Sequence, residues 1–311
     1  MEETGGSALA LVELAGSLSS EQLAGTLPLP RPLRLTPRVE QEFGVRVRRL
    51  PEATQTLLLV AATDDTGDPA VVFGAAASLD VQPDALDAAG DSDLARTDGT
   101  GRIVFRHPLV RAAVYQAASF SSRVRVHRAL AGVLVGEHHA TRRAWHLAAT
   151  AIGPDEHIAR DLGHSAELAR RRGGYAVAAA AFERASELSA SSSDRGRFLV
   201  EAAQAAFQAG QANRAARLAD LAHPLVSDAP VADELAVLQG RVEFARGSSP
   251  AAHVLLMRAA QGMAQRHVHA AAAVVVEAAR GNGHGERASA RLRDAGPASS
   301  AVRLHRRVGR A

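Results

Sequence analysis

Apolar and polar positions alternate at helical spacing over most of the chain. Leu9, Leu11, Val12, Leu14, Leu18 and Leu23 give residues 1–25 the look of an apolar helical piece. Residues 26–50 break that pattern with Leu27-Pro28-Leu29-Pro30-Arg31-Pro32, an arginine- and proline-rich connection that leads to a helix start near Thr36-Pro37. Pro51 opens a helix through Thr56-Leu57-Leu58-Leu59-Val60-Ala61-Ala62. The turn Asp64-Asp65-Thr66-Gly67-Asp68 follows, and Asp68 is placed to cap a second helix with Pro69 in its first turn and Val71 to Leu79 as its body. Asp80 is expected to cap a third helix, roughly Pro83 to Ala89. Leu94-Ala95-Arg96-Thr97 and Arg102-Ile103-Val104-Phe105 then flank Asp98-Gly99-Thr100-Gly101, which predicts a β-hairpin.

Helix–helix–helix–hairpin is the order of a winged helix, and residues 51–118 are read as such a unit. From about residue 107 the pattern becomes one of helical hairpins. Gly136, Gly173, Gly210 and Gly247 stand 37 apart, and twelve residues after each comes an alanine: Ala148, Ala185, Ala222 or Ala259. Nine residues after each glycine sits Trp145, Phe182, Ala219 or Leu256. This register predicts a glycine at the end of the first helix of each pair and an alanine where the second helix crosses its partner. Gly173, Tyr175, Ala178, Phe182 and Ala185 have the spacing of a tetratricopeptide second helix. The fold class expected is mostly α, a winged-helix unit followed by a tetratricopeptide-like α-solenoid in which neighbouring units stack to bury their apolar faces.

Composition supports the helical reading. The 311 residues include 67 alanines, the best helix former, and only 4% aromatics. The chain has no cysteine, which excludes disulfides, thiolate catalysis and cysteine-type zinc sites. It also has no lysine, so all 36 basic residues are arginine, and a P-loop lysine or Schiff-base lysine is excluded. Runs such as Thr56 to Ala62 and Ala270 to Val276 fall far short of the ~20 apolar residues that span a bilayer. With no basic stretch ahead of an apolar one at the N-terminus, the location expected is cytoplasmic, with no membrane contact.

Candidate chemistry is sparse. No Gly-x-Ser-x-Gly occurs. His138 and His139 are adjacent, and His267 and His269 lie two apart, so neither pair shares a helix face, and no metal site is expected. Arg170-Arg171-Arg172 before Gly173-Gly174 reads as a last helical turn, where positive charge complements the helix dipole. Glu52 to Ala95 holds nine acids and no arginine, so direct DNA binding by the winged-helix unit is not expected. Residues 282–311 read as a basic, disordered tail; Arg287 to Ala311 alone carries seven arginines against one acid.

The string Phe105-Arg106-His107-Pro108-Leu109-Val110-Arg111-Ala112-Ala113-Val114-Tyr115 resembles the large ATP-binding regulators of the LuxR type, a class of signal-transduction ATPases. Leu50-Pro51 with Leu57 to Ala62, His127-Arg128-Ala129-Leu130-Ala131, Ala144-Trp145-His146-Leu147-Ala148 and Arg172-Gly173-Gly174 follow the same pattern in order. The resemblance covers roughly residues 5–265. It implies four parts in such regulators: a P-loop ATPase, a winged helix, a helical-repeat sensor and a C-terminal helix-turn-helix. Residues 1–25 would then be the end of an ATPase domain, with Gly6-Ser7-Ala8-Leu9-Ala10-Leu11 standing for the family's Gly-Asn-Pro-Leu-Ala-Leu and Ala8 replacing its proline. Residues 26–50 would be the linker, 51–118 the winged helix and 119–281 the repeats.

On this reading the chain is the winged-helix and sensor region of an ATP-dependent regulator, a truncated form without ATPase or DNA-binding activity of its own. It is not an enzyme, it holds no cofactor, and ATP belongs only to the full-length architecture. The expected partners are a protein or small-molecule inducer on the repeat surface and an ATPase domain against the winged helix. His107 and Arg111, which open the helix after the hairpin, are the candidates for interdomain coupling. The alternative is a free-standing adaptor that binds other proteins through its repeats.

Overall fold

The structure, a computed structural model, describes Ser19 and residues 37–64 and 66–281. The readings made for 282–311, for Gly6 to Leu11 and, Ser19 apart, for 1–25 lie outside the described residues, as does Asp65. The described chain is mostly α-helical, and it divides between Ser165 and Ala166 into two compact units. The expected boundary at residues 118/119 falls inside the first of these.

The first unit is built around one apolar helix. α1 (Pro37–Arg48) begins at the proline where a helix start is expected, and α2 (Glu52–Thr63) follows Pro51. Leu57, Leu58, Leu59, Val60, Ala61 and Ala62 are all buried, so α2 is apolar on every side and runs through the core. Full burial of a leucine or valine contributes about 1.5–3 kcal/mol, so this one helix supplies much of the unit's cohesion. α3 (Pro69–Ala77) is capped as expected: the Asp68 side chain accepts from the Ala70 N–H at 2.9 Å.

The third helix departs from expectation. Asp80 does not cap it but takes φ +60°, a left-handed turn that short polar side chains tolerate. The chain then makes a 3₁₀ turn at Pro83–Leu86, with Gln82 at its N-cap, before a short α4 (Asp87–Asp91). β1 (Ala95–Thr97) and β2 (Ile103–Phe105) pair antiparallel, Ala95 opposite Phe105, around the expected turn. α5 (Pro108–Ala117), α6 (Phe120–Val133) and α7 (Ala140–Thr150) complete the unit, and α8 (Glu156–Arg171) carries the chain across the division.

The second unit continues with α9 (Tyr175–Leu188), α10 (Ser192–Gln208), α11 (Ala212–Ala222), α12 (Ala229–Ala245), α13 (Ser249–Met263) and α14 (Val268–Gly281). Each of these helices packs on the next, and α10 also packs on α12, as stacked helical hairpins do. The glycine register explains the turns. Gly173, Gly210 and Gly247 have φ of 78°, 75° and 88°, a conformation open to glycine at little cost. Each closes the preceding helix with the same pair of bonds. Gly173 N–H donates to Arg170 and Gly174 N–H to Ala169; Gly210 and Gln211 do so to Phe207 and Ala206; Gly247 and Ser248 to Phe244 and Glu243. This is the glycine C-cap that satisfies the last carbonyls of a helix.

Gly136, in the first unit, shares the positive φ but not the bonds: it opens a 3₁₀ turn at Glu137–His139. All four register alanines are buried, Ala185 and Ala222 completely. Phe182, Ala219 and Leu256 are buried as well, while Trp145 is half-buried. Among the described residues no helix is long and apolar enough to cross a membrane.

Candidate functional site

In the first unit, polar contacts converge on the loop after α2. Asp64 is only 2% exposed, and a carboxylate so placed must be fully paired to be tolerated. One of its oxygens, Oδ2, accepts from the Thr66 N–H at 3.2 Å, the Thr66 hydroxyl at 2.8 Å and the Gly67 N–H at 2.9 Å. The other, Oδ1, receives the guanidinium of Arg142 from α7. Arg102 donates to the Thr66 carbonyl at 2.7 Å, and the Ile103 N–H donates to the Gly67 carbonyl at 2.9 Å. Gly67 is required here twice over. Its φ is +64°, and a Cβ would stand 2.3 Å from the Ile103 carbonyl oxygen. The acidic turn therefore does more than cap α3: it ties the hairpin and α7 to α2.

Arg111 belongs to the same cluster. Its Nε donates to the Ala62 carbonyl at 2.9 Å and its Nη2 to the Asp64 carbonyl at 3.5 Å. These carbonyls end α2 and have no intrahelical donor, and the positive charge sits at the negative end of the helix dipole. His107 is the N-cap of α5, where Nδ1 accepts from the Leu109 N–H at 3.1 Å. Both residues named as coupling candidates make these contacts inside the first unit, and together they fix where α5 begins and how it lies on α2.

A second polar cluster links α5, α6 and α7. The Tyr115 hydroxyl and His127 Nε2 are 3.0 Å apart, and His127 Nδ1 and His146 Nδ1 are 3.0 Å apart. His127 is 8% exposed and His146 9%. Burial, then the neighbouring His146 and Arg123, push the His127 pKa down to about 4. Burial also raises the Tyr115 pKa, opposed by Arg123, whose guanidinium lies 5.4 Å from the ring centroid.

In the second unit, first helices are tied to first helices. Arg170 of α8 pairs with Glu201 of α10 at 2.8 Å, Gln204 of α10 reaches Glu234 of α12 at 3.5 Å, and Arg241 of α12 holds Glu277 of α14 at 2.8 and 2.9 Å. Burial raises the Glu201 pKa; Arg170 opposes the shift and the nearby Glu234 and Glu167 add to it. Second helices are joined by Glu183 of α9, which takes Arg214 at 2.6 Å on one oxygen and Arg217 on the other, both from α11. The Arg214 side chain is 4% exposed, and its Nη1 also donates to Gln211 at 3.1 Å.

The remaining candidates fall where solvent reaches them. His138 lies in an exposed turn, and His267 and His269 are exposed. Among the described residues no group of three His, Asp or Glu is placed to hold a metal ion. Arg170 and Arg171 form the last turn of α8, and their charges are used within the fold, on Glu167 and, for Arg170, Glu201.

The His127–His146 pair is the cluster that sequence reasoning missed. Its one local signal is that His127 lies on the buried stripe of Val124, Leu130, Ala131 and Leu134, where a polar side chain needs a partner. No family model matches this chain, and no curated protein does. Among solved structures the chain is similar to a signal transduction ATPase with numerous domains (STAND) protein with a tetratricopeptide repeat sensor from Pyrococcus horikoshii. The TM-score is 0.37 and the identity 12%, over 85% of this chain and 46% of that one. The chain thus spans less than half the length of that protein, and the likeness is too loose to carry an assignment.

Proposed function

We propose that the chain is the winged-helix and helical-repeat sensor region of an ATP-dependent regulator of the LuxR type, working in the cytoplasm and without catalytic activity of its own. The observation that carries this reading is the repeat register: three helices closed by the same glycine cap at 37-residue intervals, with a buried alanine twelve residues after each glycine. The order of α2, α3, the 3₁₀ turn with α4, and the hairpin supports a winged helix ahead of the repeats. In this reading the first unit packs on an ATPase domain, and α5, set in place by His107 and Arg111, is the element through which that contact is felt. An inducer or protein partner binds the row of first helices α8, α10, α12 and α14. Its binding energy shifts the regulator only through different affinity for two states.

The reading assigns nucleotide chemistry to the ATPase domain and none to this chain. ATP with magnesium titrated calorimetrically into the purified chain is therefore expected to give dilution heat only. A saturable exothermic signal, or release of phosphate by the chain alone, would overturn the assignment.

A further inference from the structure

Two imidazoles in contact, both more than nine-tenths buried, are a liability unless their protonation is controlled. The charged groups that act on His127 are His146 and Arg123, and the buried carboxylate at the end of α2, Asp64, is paired with Arg142. On its own helix α6 the charged residues are Arg123, Arg125 and Arg128; on α7 the ionisable groups are Arg142, Arg143 and His146; on α5 they are Arg111 and Tyr115. Of the other helices packed against α6, α3 has no ionisable residue and α2 has Glu52, exposed at its first turn. Between Arg106 and Pro154 the sole acid is Glu137, in the exposed turn before α7.

The hydrogen bonds set a second limit. The Nδ1 to Nδ1 contact needs one N–H and one lone pair. Two neutral rings provide this, and so does a pair sharing one extra proton. With both rings cationic, two N–H groups point at each other and the contact is lost. The first proton is resisted by burial among arginines, and the second is forbidden by geometry.

We propose that Tyr115, His127 and His146 form an acid-sensitive latch that ties α5, α6 and α7 together while the imidazoles are neutral and releases them on acidification. Well above pH 6.5 the closed and open forms both hold His127 neutral, and the latch contributes in full. Between 6.5 and about 4 the open form takes a proton that the closed form refuses, so closure loses ground as the pH falls. At pH 5 this linkage amounts to a factor of about thirty in the opening equilibrium. The regulatory consequence is release of the helix that His107 and Arg111 set against α2.

The test is hydrogen exchange on the full chain at pH 7.5 and pH 5.0, corrected for the intrinsic rates, read over α5, α6 and α7. The native chain is expected to open about thirtyfold more at pH 5.0, and the His127→Gln variant, whose new side chain keeps polar groups but cannot be protonated, markedly less. Equal acid sensitivity in the two proteins would overturn the latch. Should His127→Gln fail to fold, an NMR titration of the native histidines decides. A buried imidazole titrating well below pH 6.5, in step with loss of protection in α5 to α7, is the result expected; ordinary midpoints for both His127 and His146 would refute it.

Discussion

Asp64→Ala is expected to destabilise the first unit by about 3–5 kcal/mol, the cost of breaking a buried ion pair from one side. The substitution removes the acceptor for the Thr66 N–H, the Thr66 hydroxyl, the Gly67 N–H and the Arg142 guanidinium together. Water can rescue little of this, because the carboxyl has no exposed surface and the Arg142 side chain is 25% exposed. The readout is built in. Trp145 is the one tryptophan of the chain, and it lies three residues after Arg142 on α7. Urea unfolding followed by Trp145 fluorescence should show the midpoint falling sharply in Asp64→Ala. Asp64→Asn keeps an acceptor for the loop amides but sets an uncharged amide against Arg142, so it should fall between the two. If Asp64→Ala unfolds with the native midpoint, the loop is not the anchor of α7 and the hairpin described above.

Glu183→Ala is the counterpart in the second unit, with about 3–5 kcal/mol expected again. Here one carboxylate is shared by two arginines of the next hairpin, and Arg214 is the more buried of them. Without Glu183 the acceptor left to its charge among the described residues is the Gln211 side-chain oxygen, which is neutral. The loss should appear as faster hydrogen exchange in α9 and α11. Glu183→Gln should recover part of the protection, because a hydrogen bond to Arg214 survives while the charge does not. Arg217→Ala, which leaves the Glu183–Arg214 pair in place and removes a more exposed partner, should cost much less. Equal losses in Glu183→Ala and Arg217→Ala would show that burial of the pair is not what matters.

The parts of the fold that could be read from the sequence are those set by local chemistry. Asp68 before Pro69 is an N-cap by spacing alone. The Asp98 to Gly101 turn between two short β-rich runs predicts its hairpin, and glycines 37 apart predict helix ends because a left-handed residue is needed there. Asp80 failed by the same logic: a short acid before a helical run resembles a cap, but the chain turns left-handed at Asp80 and starts its helix later.

Tertiary partners were out of reach. Asp64 and Arg142 are 78 residues apart, and nothing near Asp64 marks it as more than a turn residue. His127 and His146 are 19 apart on different helices, and neither spacing nor composition marks them as a pair. The repeat ties could have been found. Arg170–Glu201 and Glu183–Arg214 are each 31 residues apart, close to one repeat length. A search for opposite charges offset by about one repeat would have proposed them once the register was known.

The proposed function has the first unit pack on an ATPase domain while the second senses. It is tested most directly by mixing the full chain with a purified ATPase region from a LuxR-type regulator and following hydrogen exchange over residues 52–117. The claim predicts a complex in which that stretch gains protection, α5 included, while the repeats α9 to α13 remain free to bind an inducer. No complex, or a complex whose protection lies only on the repeats, would contradict it and leave the chain as an adaptor that works through its repeats alone.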